Sequence, residues 1–542
     1  MRIAVVGGGP GGLFAAALAR TSDPTRDVTV FERNRADDTF GFGVVFSDAT
    51  LAGIHDADPV LRDALADHGV HWDAIEVRLR GERFRCGGNG MGAVARRTLL
   101  RVLRERASAA GVRLAFATPV DPDEVVAAGY DLVVAADGAN SRLRARFADV
   151  FQPSVDTAAA RFIWLGTTCP FEGLTFVHER GPHGVFAVHG YPIGSGVSTF
   201  IVETDGRSWR RAGLDEFDVT APPGPSDERS RAYLEDVFAG HLQGHRLLVN
   251  NSRWGSFRTH RAARWRHRVG GTAIALLGDG AHTAHFSVGS GTKMAMEDAI
   301  ALVAALDAHA DVDAALAAYE TVRRPQVDRI QESARPSLSW WEHFGRTHDA
   351  LPPWQFAYHF FTRALTDARL GRRDPGFVGA AHGAWRSAHG GGPLDSPIEV
   401  AGRRVVGRVL PVDDRAVVLP GGDLPLRGEP AAGGGAWGLR VEAPPGEAEL
   451  PPALEAVARA ADAGAALVAV FGGTPLTRRL LCEEARLRCR TIALLVPDEL
   501  DEDAALTEVL SGRADLVGVR AERERSGRPR PLARKGGGAR ER

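Results

Sequence analysis

The sequence predicts an α/β protein in three parts: a parallel-sheet domain, an antiparallel sheet inserted into it, and a smaller α/β domain towards the C-terminal end. Three observations carry this. A glycine-rich turn lies between a buried strand and a helix at residues 7–12, apolar residues alternate with period two from residue 158 to 261, and strand and helix patterns alternate regularly beyond residue 395.

Arg2-Ile3-Ala4-Val5-Val6 reads as the first buried strand and residues 13–20 as the first helix. Between them Gly7-Gly8-Gly9-Pro10-Gly11-Gly12 fits G-x-G-x-x-G, whose glycines permit a tight turn and let backbone N–H groups approach a pyrophosphate at a helix N-terminus. Val28-Thr29-Val30-Phe31 supplies the second strand. It ends in Glu32, followed by Arg33, where an acidic residue takes ribose hydroxyls about 20 residues past the loop. This is a Rossmann-like dinucleotide-binding pattern.

A second helix is expected at residues 95–110 and a buried strand at residues 130–136, ending in Asp137-Gly138-Ala139-Asn140-Ser141-Arg142-Leu143-Arg144. A carboxylate there sits at the C-terminal edge of the sheet, where open α/β sheets bind ligands. Next come period-2 segments such as Arg161-Phe162-Ile163-Trp164-Leu165-Gly166 and Ser198-Thr199-Phe200-Ile201-Val202-Glu203, separated by Gly, Pro and Asp turns, the pattern of an antiparallel sheet. Residues 272–277 return to a buried strand running into Gly278-Asp279-Gly280-Ala281-His282, and residues 289–306, 312–333 and 355–370 read as helices. The expected organisation is 1–154 and 266–390 as two parts of a nucleotide-binding domain, 155–265 as an inserted substrate sheet, 395–520 as a C-terminal α/β domain, and 521–542 as a disordered tail.

The 542 residues are 44% hydrophobic, and a formal net charge of −2 makes no electrostatic case for nucleic acid or an anionic membrane as partner. Cys86, Cys169, Cys482 and Cys489 lack metal-ligand spacing and are too sparse for a disulfide framework, so no metal is expected. No apolar run approaches the roughly 20 residues of a spanning helix, and the first strand begins at residue 2. No signal peptide, no membrane partner and a cytoplasmic location are the expectations.

Taken jointly, the motifs at 7–12, 137–144 and 278–282 resemble the single-component FAD-dependent aromatic hydroxylases, the group A flavoprotein monooxygenases. His282-Thr283-Ala284-His285-Phe286-Ser287-Val288-Gly289-Ser290-Gly291-Thr292-Lys293 has Phe286 and Lys293 where many hydroxylases carry Pro and Asn. It resembles a narrower branch, the salicylyl-CoA 5-hydroxylases and the monooxygenase half of 2-aminobenzoyl-CoA monooxygenase/reductase. Phe40-Gly41-Phe42-Gly43-Val44-Val45-Phe46-Ser47 and Val188-His189-Gly190-Tyr191-Pro192 echo the same branch, and the resemblance covers residues 1 to 380 or so.

The resemblance implies bound FAD, NAD(P)H as electron donor and dioxygen as co-substrate. It implies flavin contacts from Asp137 and Gly138, from Asp279 to the ribityl chain, from Gly289, Gly291 and Thr292 at a helix start, from Phe42, Gly43 and Val44 beside the isoalloxazine, and from Arg97 to the pyrophosphate. The hard chemistry belongs to the cofactor, so protein groups need only position an electron-rich ring and donate hydrogen bonds. His189, Tyr191, Trp164 and His285 are the candidates, with Glu203 a weaker one; each also reads, more readily, as ordinary sheet packing or a satisfied core polar group. The implied substrate is an aryl-CoA thioester such as salicylyl-CoA. A free aromatic acid or indole, or a flavin-binding scaffold without catalysis, are the alternatives, and a homodimer stays open. Trp340-Trp341 does not fit the W-x-W-x-I-P motif of flavin-dependent halogenases. The basic run Arg258, His260, Arg261, Arg264, Arg266, His267 and Arg268 reads as a solvated loop, or as a site for CoA phosphates.

In the aminobenzoyl-CoA enzymes the hydroxylase is fused to an old yellow enzyme-like barrel that binds FMN. Residues 396–406 resemble the start of such a barrel, and residues 437–441, 463–470 and 509–517 its later strands. Strands at 439–441, 466–470, 491–496 and 516–519 alternate with helices at 451–463, 475–488 and 501–510, implying a parallel sheet. About 145 residues are too few for eight strand–helix units, typically about 250. A truncated remnant without FMN, kept for packing or dimer contact, is the expectation.

Overall fold

The computed structural model describes residues 1–39, 41–217, 225–289, 291–429 and 435–520. The expected tail at 521–542 lies outside them. The chain forms two compact units, Met1–Gly345 and Arg346–Arg542.

In the first unit a six-stranded sheet runs in the order Arg266–Val269, Thr272–Leu276, Leu132–Ala135, Arg2–Val6, Asp27–Phe31, Arg113–Ala115. Every pair is parallel except the hairpin made by Arg266–Val269. Its central strands are covered on both faces, which is why they read as unbroken apolar runs. Helix Pro10–Ser22 is buried nearly all round, packed against helices Arg96–Ala109 and Gly291–Ala308.

The inserted sheet has seven strands: Leu247–Leu248, Arg161–Thr167, Ser198–Thr204, Gly184–Pro192, Thr175–Gly181, Ile75–Leu79, Glu82–Cys86. The expectation of a wholly antiparallel sheet drawn from 155–265 is corrected here. The hairpin Ile75–Leu79 with Glu82–Cys86 comes from the first segment, and Ile75–Leu79 joins Thr175–Gly181 in parallel. Alternation shows that a strand has two faces; it does not say which strand will cover an open edge. On one face Ile163, Val188, Phe200 and Val202 pack under Leu234 and Phe238. The opposite face carries Trp164, His189, Tyr191 and Glu203.

Three further pieces position that second face. Gly43–Ser47, Met91–Ala95 and Val70–Trp72 form a small sheet, and Pro153–Thr157 pairs with Arg258–Ala262 as a ribbon between the two large sheets. Helix Val312–Ala350 continues past the expected end at 333, through Pro325 and Pro336. A proline costs a helix one hydrogen bond. Here the Trp341 ring packs, tilted, against Phe176 and His189 of the sheet, and that burial holds the added turns in place.

In the second unit seven strands close into a barrel: Val409–Val412, Ala416–Val417, Leu424–Arg427, Gly438–Glu442, Leu467–Phe471, Ile492–Leu495 and Leu516–Arg520. Closure comes from parallel pairing of Val409–Val412 with Leu516–Arg520. This overturns the expectation that so short a segment cannot close. Three very short strands, one of them antiparallel, replace whole strand–helix units. Helices before residue 390 supply missing cover: Gln355 Nε2 donates to Leu510 O at 2.9 Å, and Thr507 Oγ1 accepts from the Asp367 N–H at 2.8 Å. Helices Pro353–Phe361, Asp367–Arg373 and Pro375–His389 therefore lie in this unit, not with the nucleotide-binding domain. The interior is filled by Val412, Leu424, Ala469, Phe471, Leu494 and Leu516, a packed core as in larger barrels of this kind.

Candidate flavin and substrate site

A Cβ at Gly7, where φ is +115°, would lie 2.2 Å from Ala136 O, and one at Gly12 would lie 2.1 Å from Gly7 O. Only glycine lets this strand and helix approach so closely. Gly9 meets nothing within 4 Å, and it caps helix Pro10–Ser22 without a side-chain bond, leaving the first-turn amides of Gly11 and Gly12 for a ligand. Beside it is a cleft of about 190 Å³ lined by Gly7, Gly9, Glu32, Arg33, Asp137 and Gly138. Glu32 is locked on its wall, accepting from the N–H of Gly8 at 2.7 Å and of Asn34 at 2.8 Å. The Asp137 carboxylate accepts from Arg142 N–H at 2.7 Å through Oδ2, while its buried Oδ1 has no partner among the described residues. A buried acceptor left so costs about 1–3 kcal/mol. These residues fit the adenosine and pyrophosphate of FAD.

The other two motifs are joined by one residue. Arg144 Nη1 donates to Asp279 O at 3.2 Å and Gly280 O at 2.8 Å, and Arg144 Nη2 reaches Ala139 O. Beneath them His282 Nε2 lies 2.7 Å from Asp298 Oδ2, and Arg323 Nε donates to Asp298 Oδ1 at 2.8 Å. Burial pushes the Asp298 carboxyl up, but His282 and Arg323 outweigh it and hold it below the ordinary value. The Asp279 side chain itself is exposed. The protein crowded around it nevertheless raises its carboxyl, against the pull of His282, Arg96 and Arg144.

Arg96 is coupled to Asp279 and Tyr191, and its neighbour Arg97 is exposed. The sequence held the signal. Leu99 and Leu103 are buried, and a residue three positions before Leu99 shares their helix face.

The loop expected beside the isoalloxazine is tied to the inserted sheet. A Cβ at Gly43 would lie 2.3 Å from Ile193 Cγ2, Tyr191 Oη donates to Gly43 O at 3.2 Å, and Asn250 Nδ2 donates to Thr39 O and Gly41 O at 2.9 and 3.0 Å. The Phe42 ring packs over Gly166, and Val44 is buried in the strand that follows. Phe40 and Ser290 lie outside the described residues. Gly289 (φ +61°) and Gly291 meet nothing within 4 Å among the described residues, and helix Gly291–Ala308 carries Thr292 in its first turn. Burial pushes the Tyr191 hydroxyl up to about 12.

Across from this loop stands an aromatic wall. Phe286 packs on Phe162 at 5.0 Å and Trp164 at 5.8 Å, and the buried Trp164 Nε1 has no acceptor among the described residues. Behind Phe286, His189 Nε2 lies 2.7 Å from Glu203 Oε2, and His285 Nε2 lies 3.2 Å from Glu203 Oε1, within ion-pair reach but off line for a hydrogen bond. All three are at most 3% exposed. Burial raises the Glu203 carboxyl, yet His285 and His189 more than offset it and bring it down to about 2. Glu203, ranked weakest on sequence, is the residue that joins the two histidines. No local pattern pairs positions 189, 203 and 285.

The basic run divides: Arg264, Arg266 and His267 line one cavity of about 710 Å³ together with Arg324 and Glu320. Arg261 pairs with Asp156, Arg266 with Glu320 and Arg268 with Asp313, while His260 is buried beside Arg144. No group of three or more metal-ligating side chains occurs among the described residues, and no helix there is long and apolar enough to cross a membrane.

The model of the FAD binding domain family matches residues 1–334. A salicyloyl-CoA 5-hydroxylase of Streptomyces sp is 55% identical over 96% of this chain and 99% of its own length. A 3-hydroxy-4-methyl-anthranilyl-(aryl-carrier protein) 5-monooxygenase of Streptosporangium sibiricum is 39% identical over 63% of this chain and 89% of its own. Among solved structures, tetrameric 2-methyl-3-hydroxypyridine-5-carboxylic acid oxygenase superposes with a TM-score of 0.50 at 21% identity, covering 67% of this chain and 98% of that one, a likeness of fold. The cradle built from glycines at residues 7–12 thus has a lineage as well as a geometry: the chain belongs to the FAD binding domain family and is a flavin-dependent monooxygenase.

Proposed function

We propose that this chain hydroxylates an aromatic ring carried as a CoA thioester, salicyloyl-CoA at ring position 5, with NAD(P)H as electron donor. The observation that carries this is the 55% identity to a salicyloyl-CoA 5-hydroxylase along 96% of the chain. Bound FAD, once reduced, supplies the activated oxygen. Gly7, Gly9, Pro10, Gly11 and Gly12 hold its pyrophosphate, Glu32 and Arg33 its adenosine, Asp137 and Gly138 the adjoining cleft. Arg96 and Asp279 hold the ribityl region, and Phe42, Gly43, Val44, Gly289, Gly291 and Thr292 frame the ring.

The substrate ring lies against Trp164 and Phe286. Trp164 offers its buried indole N–H, without an acceptor among the described residues, to a substrate carbonyl, and Tyr191 acts through Gly43, fixing the loop. The C-terminal barrel is read as a shortened relative of old yellow enzyme barrels, on the likeness of residues 396–406 and the strands that follow.

The test is oxygen uptake by the FAD-loaded protein given NADH and salicyloyl-CoA, with a product one oxygen heavier. Flavin reduction without that product overturns the reading. Product formed only from a carrier-protein-bound acid replaces the CoA thioester with the substrate type named for the Streptosporangium relative.

A further inference from the structure

An arginine-lined cavity of about 710 Å³ lies outside the flavin and substrate sites, within the first unit. One wall is the chain entering strand Arg266–Val269, with Arg264, Arg266 and His267. The other is helix Val312–Ala350, which contributes Ala317, Glu320, Thr321, Arg324 and Pro325. Those positions recur at the spacing of one helix face, so a single stripe of the helix is turned to the cavity. The volume is in the range of small-molecule sites.

Glu320 is shared between two guanidinium groups, its Oε2 lying 3.4 Å from Arg266 Nε and its Oε1 3.5 Å from Arg324 Nη1. Arg264 is exposed and has no ion-pair partner among the described residues, so arginine charge exceeds carboxylate charge along the lining. Burial holds the His267 imidazole below its ordinary value, and near neutral pH it is uncharged. Phe147 and Phe151 pack on that ring at 5.3 and 6.2 Å, fixing it as part of an apolar wall with Val150, Ala317 and Pro325. Arg266 pairs with Ala275, and Trp265 O accepts from the Leu276 N–H, so this end of the strand lies at the sheet edge from which Asp279 emerges. Open α/β sheets bind ligands at that edge. The Trp265 ring, one residue from each arginine, packs against His282 of the Gly278–His282 motif at 4.9 Å.

We propose that this cavity binds a phosphorylated adenosine, with Arg264, Arg266 and Arg324 holding phosphate oxygens and the apolar wall holding the base. Guanidinium forks match phosphate oxygens two at a time, and positive charge gathered in a concavity attracts an anion from a distance. A bare phosphate satisfies the arginines and leaves Val150, Ala317, Pro325 and the His267 ring uncovered. A nucleoside phosphate covers both. The source of that group rests on the reaction proposed above, in which two reactants carry it: CoA has a phosphate on its adenosine 3′ oxygen, and NADPH has one on the 2′ oxygen.

The test uses the full-length protein with FAD bound, titrated calorimetrically with adenosine 3′,5′-bisphosphate for the CoA end, adenosine 2′,5′-bisphosphate for the NADPH end, and inorganic phosphate at equal ionic strength. The parent, Arg264→Met and Arg324→Met are compared, with flavin content as the control for folding. Arg264 is exposed and outside any ion pair among the described residues, so its variant leaves the packing undisturbed. The expected result is binding of a bisphosphate whose dissociation constant rises about tenfold or more in each variant, the loss of one charge-assisted contact. The tighter bisphosphate names the source; where the two bind equally, the source is the reactant, salicyloyl-CoA or NADPH, whose KM rises in Arg264→Met. Binding of neither bisphosphate, an affinity unchanged in either variant, or inorganic phosphate held as tightly as the bisphosphates overturns the proposal. Arginine-dependent binding in a protein that does not hydroxylate salicyloyl-CoA upholds the cavity and counts against the substrate reading, so the two failures are separable.

Discussion

The seven-stranded sheet has two faces built from alternate residues of the same strands, and they are made for different work. One packs Ile163, Val188, Phe200 and Val202 under Leu234 and Phe238. The other places Glu203 and His189 between those same apolar positions and leaves the Trp164 N–H without an acceptor among the described residues. Dispersion and burial are non-directional, so the first face stabilises whatever its detailed order. The second carries groups that are costly unless paired, and geometry decides their worth. Stability and chemistry are separated here by a single step along each strand.

That contrast can be broken from either side. The largest effect belongs to the apolar face. Phe200, fully buried against Phe171 and Phe238, is expected to cost about 3–5 kcal/mol as Phe200→Ala. Denaturant melts should show that loss, with near-parental hydroxylation per folded molecule; a selective loss of turnover would erase the distinction between the faces.

Next comes Glu203. Its folded value of about 2 lies below the ordinary 4.5, so it contributes stability above pH 4.5 that is lost as pH falls towards 2, of order 3 kcal/mol. The stability gap between parent and Glu203→Gln should shrink on going from about pH 6 to pH 3; a gap that stays constant contradicts the ionised, paired carboxylate.

Neighbouring arginines give a smaller contrast of the same kind. Arg96→Met should weaken FAD binding tenfold or so, about 1.4 kcal/mol, whereas Arg97→Met should leave it within twofold or so, both read by flavin fluorescence on titration. A reversed order would restore Arg97 as the contact. Smallest is Tyr191→Phe, which removes the bond to Gly43 O and should cost about 1 kcal/mol in melting experiments, with its main trace in flavin affinity.

Much of the cofactor site was legible because its causes are local. A glycine spacing between strand and helix, an acidic residue ending the next strand, and Asp after two further buried strands are patterns that short windows contain. Where the reading slipped, the missing information was spatial. The coupling of Arg96 to Asp279 joins segments far apart in the chain, while Arg97 stands exposed beside it. The helix Val312–Ala350 outruns its expected end at 333 because the packing of Trp341 against His189 is not visible in proline content.

The sequence by itself determined the nucleotide cradle, the two-faced strands of the inserted sheet and the strand–helix order of the C-terminal unit, since all three follow from turn chemistry and periodicity within a few residues. Only the tertiary structure decided that Val409–Val412 meets Leu516–Arg520 to close a barrel, that Ile75–Leu79 joins Thr175–Gly181, and that Glu203 reaches both His189 and His285. Those pairings join segments far apart in the chain, and their free energy comes from edges closed and charges compensated once everything else has folded.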